Sequence, residues 1–299
     1  NALTRRQTLQ ALGASLLPLP LIAAAQAAFP NKPVRIIVPL PASGAADVSV
    51  RILTEFLQQP LGQSLVVENR PGGIYQIGIQ AVTSAPADGY TLIHLNATMC
   101  AVQASLKRFD MLKQFIPVGM MGSTDAMLCI ANNAPFKTKQ EMVAWGKANP
   151  GKLNYGSTGP GSMEHLTMVS IMQRVGITGN NIPFKGGPDG ALALAQGEIQ
   201  AMALPAPLII QFKDKIKPVI ALTEQRIGYL PDLPTAKEQG LDIPTVNYWG
   251  GLAVPVGTPA SVVETLEKAM AEVAASFAAA QVPAAQNSAW TQAQQTWKT

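Results

Sequence analysis

Residues 34–47 read VRIIVPLPASGAAD and have the pattern of a strand, a tight loop and the start of a helix. Residues 36–38 are apolar and β-branched and end at Pro39, which predicts a buried strand. From Val48 the apolar residues recur at helical spacing until Gly62, which predicts a helix. The small residues between these elements leave the first N–H groups of the helix accessible. These donors and the positive end of the helix dipole make a site for an anion. Taken alone, however, the stretch is more typical of an ordinary first β–α turn, because such turns are common.

Residues 1–27 have the pattern of a secretory signal. Arg5 and Arg6 precede an apolar stretch over residues 11–25, and Ala25-Gln26-Ala27 fits an A-x-A cleavage site. The arginine pair favours the Tat route, while Thr8, where an apolar residue is usual, leaves Sec export open. We therefore expect a periplasmic protein whose signal is cleaved near Ala27.

The composition excludes some classes of partner. Without Arg5 and Arg6, the net charge of +4 falls to +2, and the chain has no run of basic residues. Nucleic acid is therefore not an expected partner. Cys100 and Cys129 are the only cysteines, and export permits either a disulfide or two separate thiols.

Strand-like and helix-like segments alternate along the chain, which predicts an α/β fold with parallel sheets flanked by helices. Further strands are predicted at residues 64–68, 91–95, 127–131, 153–155, 199–203 and 219–222, and further helices at residues 77–84, 139–148, 162–175 and 260–275. Residues 278–295 are rich in alanine and glutamine with little periodicity, and predict a poorly packed helical tail or partial disorder.

Two later loops repeat the logic of the first. Residues 153–162 (LNYGSTGPGS) run from a short strand through small residues to a helix that Ser162 is predicted to cap, and residues 184–190 (FKGGPDG) follow another short strand. Loops of this kind far apart in sequence predict two lobes that face a common ligand across a cleft. Backbone N–H groups hold a carboxylate without the desolvation penalty of a full charge.

With these loops, the chain resembles the Bug family, the periplasmic solute-binding proteins of tripartite tricarboxylate transporters. The motifs that carry the resemblance are FPNKPVR (29–35), VPLP (38–41), VENRPG (67–72), DGYTL (88–92), GKLNY (151–155) and LPDLPT (230–235). The resemblance implies a two-lobed periplasmic-binding-protein fold (type II, Venus-flytrap) with two crossover strands, near residues 128–132 and 249–255. Residues 28–128 with 250–299 would form lobe 1, and residues 129–249 lobe 2. It also implies a monomer without a cofactor, which delivers a small organic carboxylate to the membrane subunits of such a transporter.

The resemblance places the ligand between the loops at residues 40–46 and 157–162, with further contacts from a loop at residues 96–99 and from residues 185–189. The predicted ligand-binding residues are Leu40, Ala42, Ser43, Gly44, Ala45, Tyr75, Asn96, Thr98, Ser157, Thr158, Gly159, Gly161, Ser162, Lys185 and Asp189. The chain departs from the family where Ile74-Tyr75-Gln76 replaces a glycine-rich stretch with an asparagine, and where apolar Leu204 stands in place of an aspartate.

The ligand class depends on these departures. Tyr75, with His94 and Phe184 nearby, predicts an aromatic carboxylate, leaning to a dicarboxylate such as terephthalate, because aromatic faces stack on planar ligands. Ordinary packing of Tyr75 at a lobe edge remains as plausible, and Lys185 is either the partner of a second carboxylate or a solvated lysine. Aliphatic di- or tricarboxylate binding and a ligand-sensing adaptor for a membrane sensor are the alternatives.

We do not expect an enzyme. The chain has no G-x-S-x-G, C-x-x-C or H-E-x-x-H pattern, and its two histidines and two cysteines are scattered. Ser162, Glu164 and His165 lie close in sequence, but successive positions on a helix do not face one another. Glu164 is explained by its favourable interaction with the helix dipole.

Overall fold

The computed structural model describes residues 29–42 and 44–279, so the predicted signal segment and the tail after Ala279 lie outside the described residues. The strands are β1 (Val34–Val38), β2 (Leu65–Asn69), β3 (Thr91–Asn96), β4 (Phe115–Ala131), β5 (Leu153–Ser157), β6 (Gly179–Pro183), β7 (Ala201–Pro205), β8 (Ile216–Ala221) and β9 (Asn247–Pro255). The helices are α1 (Ala45–Leu61), α2 (Gln76–Thr83), α3 (Ala97–Leu106), α4 (Met111–Gln114), α5 (Lys139–Ala148), α6 (Met163–Val175), α7 (Gly187–Gln196), α8 (Ala206–Gln211) and α9 (Ala260–Ala279).

The strands form two sheets that share β4. In the first lobe, β1 pairs with β2 and β3 in parallel, and β9 joins β3 to the first part of β4. In the second lobe, the last part of β4 pairs with β7 and β8, and β5 lies between β6 and β7. The two-lobed α/β fold predicted from the sequence is confirmed.

The sheets are mixed rather than parallel as the alternation predicted. β9 is antiparallel to β3 and β4, and β4 is antiparallel to β7 and β8. The reason is topological, because one strand carries the chain out of the first lobe and another brings it back. β4 pairs with β9 up to Asp125 and with β7 from Ala126 onward. The chain returns to the first lobe at residues 246–247. There the Val246 N–H still donates to the Leu222 carbonyl of the second lobe (2.8 Å), whereas Asn247 already pairs with Asp125. The domain boundaries proposed from the sequence stay predictions.

The first part of β4 was missed by the sequence reading. Its residues Pro117, Gly119 and Gly122 look like strand breakers, and the pairing register with β9 shifts between Pro117 and Gly119 and again between Met120 and Gly122. Bulges of this kind admit residues that a regular strand excludes. Gly119 also permits close packing of α9, since a Cβ there would lie 2.8 Å from Met270 Cβ.

The opening stretch folds as predicted. β1 is buried apart from Arg35, α1 begins at Ala45, and Gly62 ends it in the left-handed conformation while its N–H donates to the Gln58 carbonyl (2.9 Å). Glycine suits this position because it adopts a positive φ without strain.

The segment predicted as a loop at residues 96–99 is instead the end of β3 and the first turn of α3. The Asn96 side chain accepts a hydrogen bond from the Met99 N–H (3.0 Å) and so caps α3 directly at the end of the strand. Cys100 and Cys129 are free thiols, the first exposed and the second buried. Among the described residues, none of the helices is both long and apolar enough to cross a membrane.

Candidate functional site: a cavity between the lobes

A cavity of about 690 Å³ lies where the two lobes meet. Its volume is in the range of small-molecule sites, roughly 300–1,000 Å³. Residues from β4 and β9 line it where these strands connect the lobes. The first turns of α3, α7 and α8, α1 as far as Leu53, and residues of β3, β7, α6 and α9 also contribute to the wall. Several helix N-termini therefore converge on one cavity, which favours an anion there.

The first loop leads directly into the N-terminus of α1 on the cavity wall. Gly44 is the N-cap of α1 and makes no side-chain cap, and the first intrahelical bond runs from the Val48 N–H to the Gly44 carbonyl (3.0 Å). The N–H groups of residues 45 and 46 precede that bond, so the helix itself does not supply their acceptors. The Asn69 amide donates to the Leu40 carbonyl (3.1 Å) and ties the loop to β2.

The second lobe faces the cavity with the start of α7. Gly186 is its N-cap without a side-chain cap, and the first intrahelical bond runs from the Gly190 N–H to the Gly186 carbonyl (3.3 Å). Gly186, Gly187, Pro188 and Asp189 all line the cavity. Because the N–H groups of Gly187 and Asp189 precede the first bond, they are the counterpart of the donors at α1.

The loop at residues 157–162, expected to be that counterpart, uses its amides internally. The Gly159 N–H donates to Ser157 Oγ (3.1 Å), the Gly161 N–H to His165 Nδ1 (3.2 Å), and the Ser162 N–H to the Gly159 carbonyl (3.1 Å). The loop also contacts the first lobe, since Ser105 Oγ donates to the Gly161 carbonyl (3.3 Å). Thr158 is the residue of this loop that reaches the cavity.

Tyr75 projects into the cavity from a strained backbone. Residues 72–75 all have positive φ, and Ile74 (φ 52°) and Tyr75 (φ 71°) are not glycines. Such conformations cost on the order of 1–3 kcal/mol each and occur often at functional sites. Burial, with a further contribution from the Glu164 charge, raises the pKa of the Tyr75 hydroxyl. Tyr248 and Trp249 of β9 add further aromatic surface to the wall.

Glu164 is a buried carboxylate on the cavity wall. It is 4 % exposed, and it accepts hydrogen bonds from Thr158 Oγ1 at Oε2 (2.8 Å) and from the Tyr248 hydroxyl at Oε1 (3.0 Å). Burial and the charge of Glu164 raise the pKa of Tyr248, so both tyrosines face the carboxylate as neutral phenols.

His94 and Asn96 bring two further buried polar atoms to the wall. Within the described part of the chain, His94 Nδ1 and Asn96 Nδ2 have no hydrogen-bond partner. Burial lowers the pKa of His94 to about 4, so the ring is neutral near neutral pH. Gly250 leaves room for this ring, because a Cβ there would lie 2.8 Å from His94 Nε2.

The predicted site residues divide into two groups. Those on the cavity wall are Leu40, Ala42, Gly44, Tyr75, Asn96, Thr98, Thr158 and Asp189. Those away from it are Ser157, Gly159, Gly161, Ser162 and Lys185. The Ser157 hydroxyl donates to Asn181 Oδ1 (2.7 Å), Ser162 caps α6, and Lys185 is exposed. Ala45 is the first residue of α1, and Ser43 lies outside the described residues.

The sequence reading missed part of the wall. The cavity is also lined by residues 121–124 of β4, by Tyr248, and by Pro205, Pro207 and Leu208, as well as by Leu204 at the departure from the family pattern. The sequence explains the position of Glu164 by its interaction with the helix dipole alone, because nothing in the sequence indicates that the Tyr248 hydroxyl would reach this carboxylate. Phe184, expected near the ligand, packs against the core of the second lobe.

The polar cluster at the start of α6 does not have the geometry of a nucleophile and base. Ser162 Oγ accepts a hydrogen bond from the His165 backbone N–H (3.3 Å), and His165 Nδ1 accepts from the Gly161 N–H (3.2 Å). The described residues contain no group of three or more His, Cys, Asp or Glu side chains that could hold a metal ion.

Known sequences place the chain in a family. The model described as "Tripartite tricarboxylate transporter family receptor" (TctC) matches residues 49–298. A protein of the UPF0065 group from Cupriavidus necator is 33% identical over 262 residues, which cover 87% of this chain and 79% of that protein. Protein BugT of Bordetella pertussis is 30% identical over 264 residues, covering 86% of this chain and 81% of BugT.

Solved structures agree with this placement. A periplasmic transporter is 31% identical with a TM-score of 0.76, covering 83% of this chain and 84% of that one. MatC from Rhodopseudomonas palustris with bound malate is 26% identical with a TM-score of 0.75, covering 82% and 85% of the two chains. A second R. palustris protein, with adipate, is 26% identical with a TM-score of 0.75, covering 81% and 83%. The chain therefore belongs to the receptor family of the tripartite tricarboxylate transporters.

Proposed function

We propose that this protein captures a small organic carboxylate in the cavity between its lobes and delivers it to a tripartite tricarboxylate-type membrane transporter from the periplasm. The observation that carries the proposal is the convergence of the N-termini of α1 and α7, one from each lobe, on a single cavity. A carboxylate bound to both helices would link the lobes. Ligand binding would then favour the closed arrangement.

The walls support an aromatic ligand. Tyr75, Tyr248 and Trp249 contribute aromatic surface, and Leu204, Pro205 and Leu208 contribute apolar surface. Aromatic pairs in offset or edge-to-face arrangements contribute roughly 0.5–1.5 kcal/mol beyond the burial of their area. An aromatic carboxylate is therefore our first candidate, and a terephthalate-type diacid remains the specific prediction made from the sequence.

Aliphatic diacids are the second candidate. The observation in their favour is that two related structures were solved with malate and adipate.

A thermal-unfolding screen tests the proposal. A ligand at a hundredfold excess over its Kd stabilises the folded state by about 2.7 kcal/mol, so a binding carboxylate raises the melting temperature measurably. The panel pairs benzoate and terephthalate with malate and adipate, and uses the uncharged amide of each acid as its control. We expect stabilisation by at least one acid and by none of the amides. Absence of stabilisation by every acid of the panel would favour an adaptor role without a ligand.

A further inference from the structure

Glu164 has two hydrogen-bond donors but no cation. Its donors are the hydroxyls of Thr158 and Tyr248, and among the described residues no lysine, arginine or histidine nitrogen lies within 4.0 Å of its carboxylate. An ionised carboxylate offers about four acceptor positions, so two hydroxyls leave about half of them open. A buried carboxylate is costly unless it is both hydrogen-bonded and paired with a positive charge.

The rest of the described wall offers no positive charge. The charged side chains that line the cavity there are Glu164 and Asp189, both acidic, and none of the lining residues is lysine or arginine. Lys185, the predicted partner of a second carboxylate, is exposed and lies off the wall. A ligand with carboxylates at both ends would therefore bring a negative charge near Glu164, which like-charge repulsion disfavours.

A second observation points to a ligand with a polar group at each end. His94 is 3 % exposed and lines the same cavity from the first lobe, and its Nδ1 has no hydrogen-bond partner in the described residues. Asn96 Nδ2, at the start of α3, is a buried donor that also has no hydrogen-bond partner in the described residues. The first lobe thus adds an unused amide donor at Asn96 and an unpartnered ring nitrogen at His94, while Glu164 on the second lobe is an acceptor.

We propose that Glu164 is a specificity-determining residue, which selects ligands that carry a protonated nitrogen in addition to their carboxylate. This inference rests on the proposed capture of a carboxylate in the same cavity. The ligand carboxylate binds at the N-termini of α1 and α7, and the protonated nitrogen donates to Glu164 in place of a protein cation. The substrate class is then an amino-carboxylate rather than a diacid.

Two matched sets of ligands test this preference by calorimetric titration of the wild-type protein. The aromatic set is para-(aminomethyl)benzoate, terephthalate and para-toluate, and the aliphatic set is ε-aminocaproate, adipate and caproate. Within each set the carboxylate is constant and the other end is an ammonium, a carboxylate or a methyl group. We expect the ammonium ligand of at least one set to bind roughly tenfold or more tighter than its diacid. Tighter binding of the diacids overturns the inference and leaves the proposed function intact, whereas no binding of any member contradicts both.

A charge-neutralising variant assigns the preference to Glu164. Glu164→Gln keeps the shape of the side chain and removes its charge. We expect it to weaken binding of the preferred ammonium ligand by roughly 30-fold or more, and to weaken the diacid less or bind it better. Glu198→Gln removes the same charge from an exposed position of the second lobe, off the cavity wall, and is expected to leave all affinities unchanged. A preference that survives in Glu164→Gln overturns the role of this residue, and the wild-type titrations decide the ligand class even if the variant fails to fold.

Discussion

His94 should make the stability of this protein depend on pH between about 6.5 and 4. Burial lowers the pKa of its imidazole from 6.5 to about 4 in the folded state, while the unfolded chain keeps the ordinary value. In that pH range the unfolded state therefore binds a proton that the folded state does not. Stability due to this group is fully present above pH 6.5 and is lost as the pH falls toward 4.

The magnitude follows from the size of the shift. Each pKa unit corresponds to 1.36 kcal/mol, so the lowering of the His94 pKa to about 4 amounts to roughly 3 kcal/mol of unfolding free energy across the range. Urea denaturation of the wild type and of His94→Gln at several pH values measures it. Carboxylates that titrate in the same range affect both proteins equally and cancel in the difference.

The variant should lose most of this pH dependence between pH 6.5 and 4. His165, the other histidine, is only partly buried, and His165→Gln serves as the matched comparison with a smaller expected change. Equal pH dependence in the wild type and His94→Gln would refute the assignment of a neutral, buried ring to this position.

Three further substitutions test individual contacts around the cavity by chemical denaturation. Tyr248→Phe removes a donor to the buried Glu164 and should lower the free energy of unfolding by about 1.5–3 kcal/mol. A loss below about 0.5 kcal/mol, as for a surface substitution, would show that this hydrogen bond does not stabilise the carboxylate. Ser162→Ala removes the N-cap of α6 and should cost about 1 kcal/mol, and an unchanged midpoint would contradict the capping role. Gly161→Ala places a side chain at φ 79° and against Ser105, so it should cost at least about 1–2 kcal/mol, whereas Gly228→Ala, in an exposed and open position, should be nearly neutral. Equal effects of the two glycine substitutions would refute the strain argument.

Local signals in the sequence were sufficient for most single elements. Lys139–Ala148 forms a helix over the predicted residues, because Thr138 caps its start and Asn149-Pro150-Gly151 follows its end. The first part of β4 escaped prediction because its proline and glycines occupy bulges, which only the pairing with β9 reveals.

The site was harder to predict because it is built from long-range contacts. The amides at α1 were predictable from one loop, since a helix N-terminus exposes them by its own geometry. The amides of the loop at residues 157–162 looked equivalent in sequence, yet they are used by Ser157, Gly159 and His165 within the loop and the first turn of α6. The environment of Glu164 depends on Tyr248, which is 84 residues away and arrives on the returning strand.

A titration of a cavity-blocking variant tests directly whether a carboxylate binds between the lobes. A Cβ at Gly186, on the wall, would meet no atom closer than Pro188 Cδ at 3.7 Å, and one at the exposed Gly228 would meet none within 4 Å. Gly186→Phe therefore adds a ring at the cavity, whereas Gly228→Phe adds the same ring elsewhere in the second lobe. The ligand is the carboxylate that stabilises the wild type most. We predict one binding site in the wild type and in Gly228→Phe. In folded Gly186→Phe we predict that the affinity falls at least about tenfold, or 1.4 kcal/mol. Unchanged affinity in Gly186→Phe would contradict the claim.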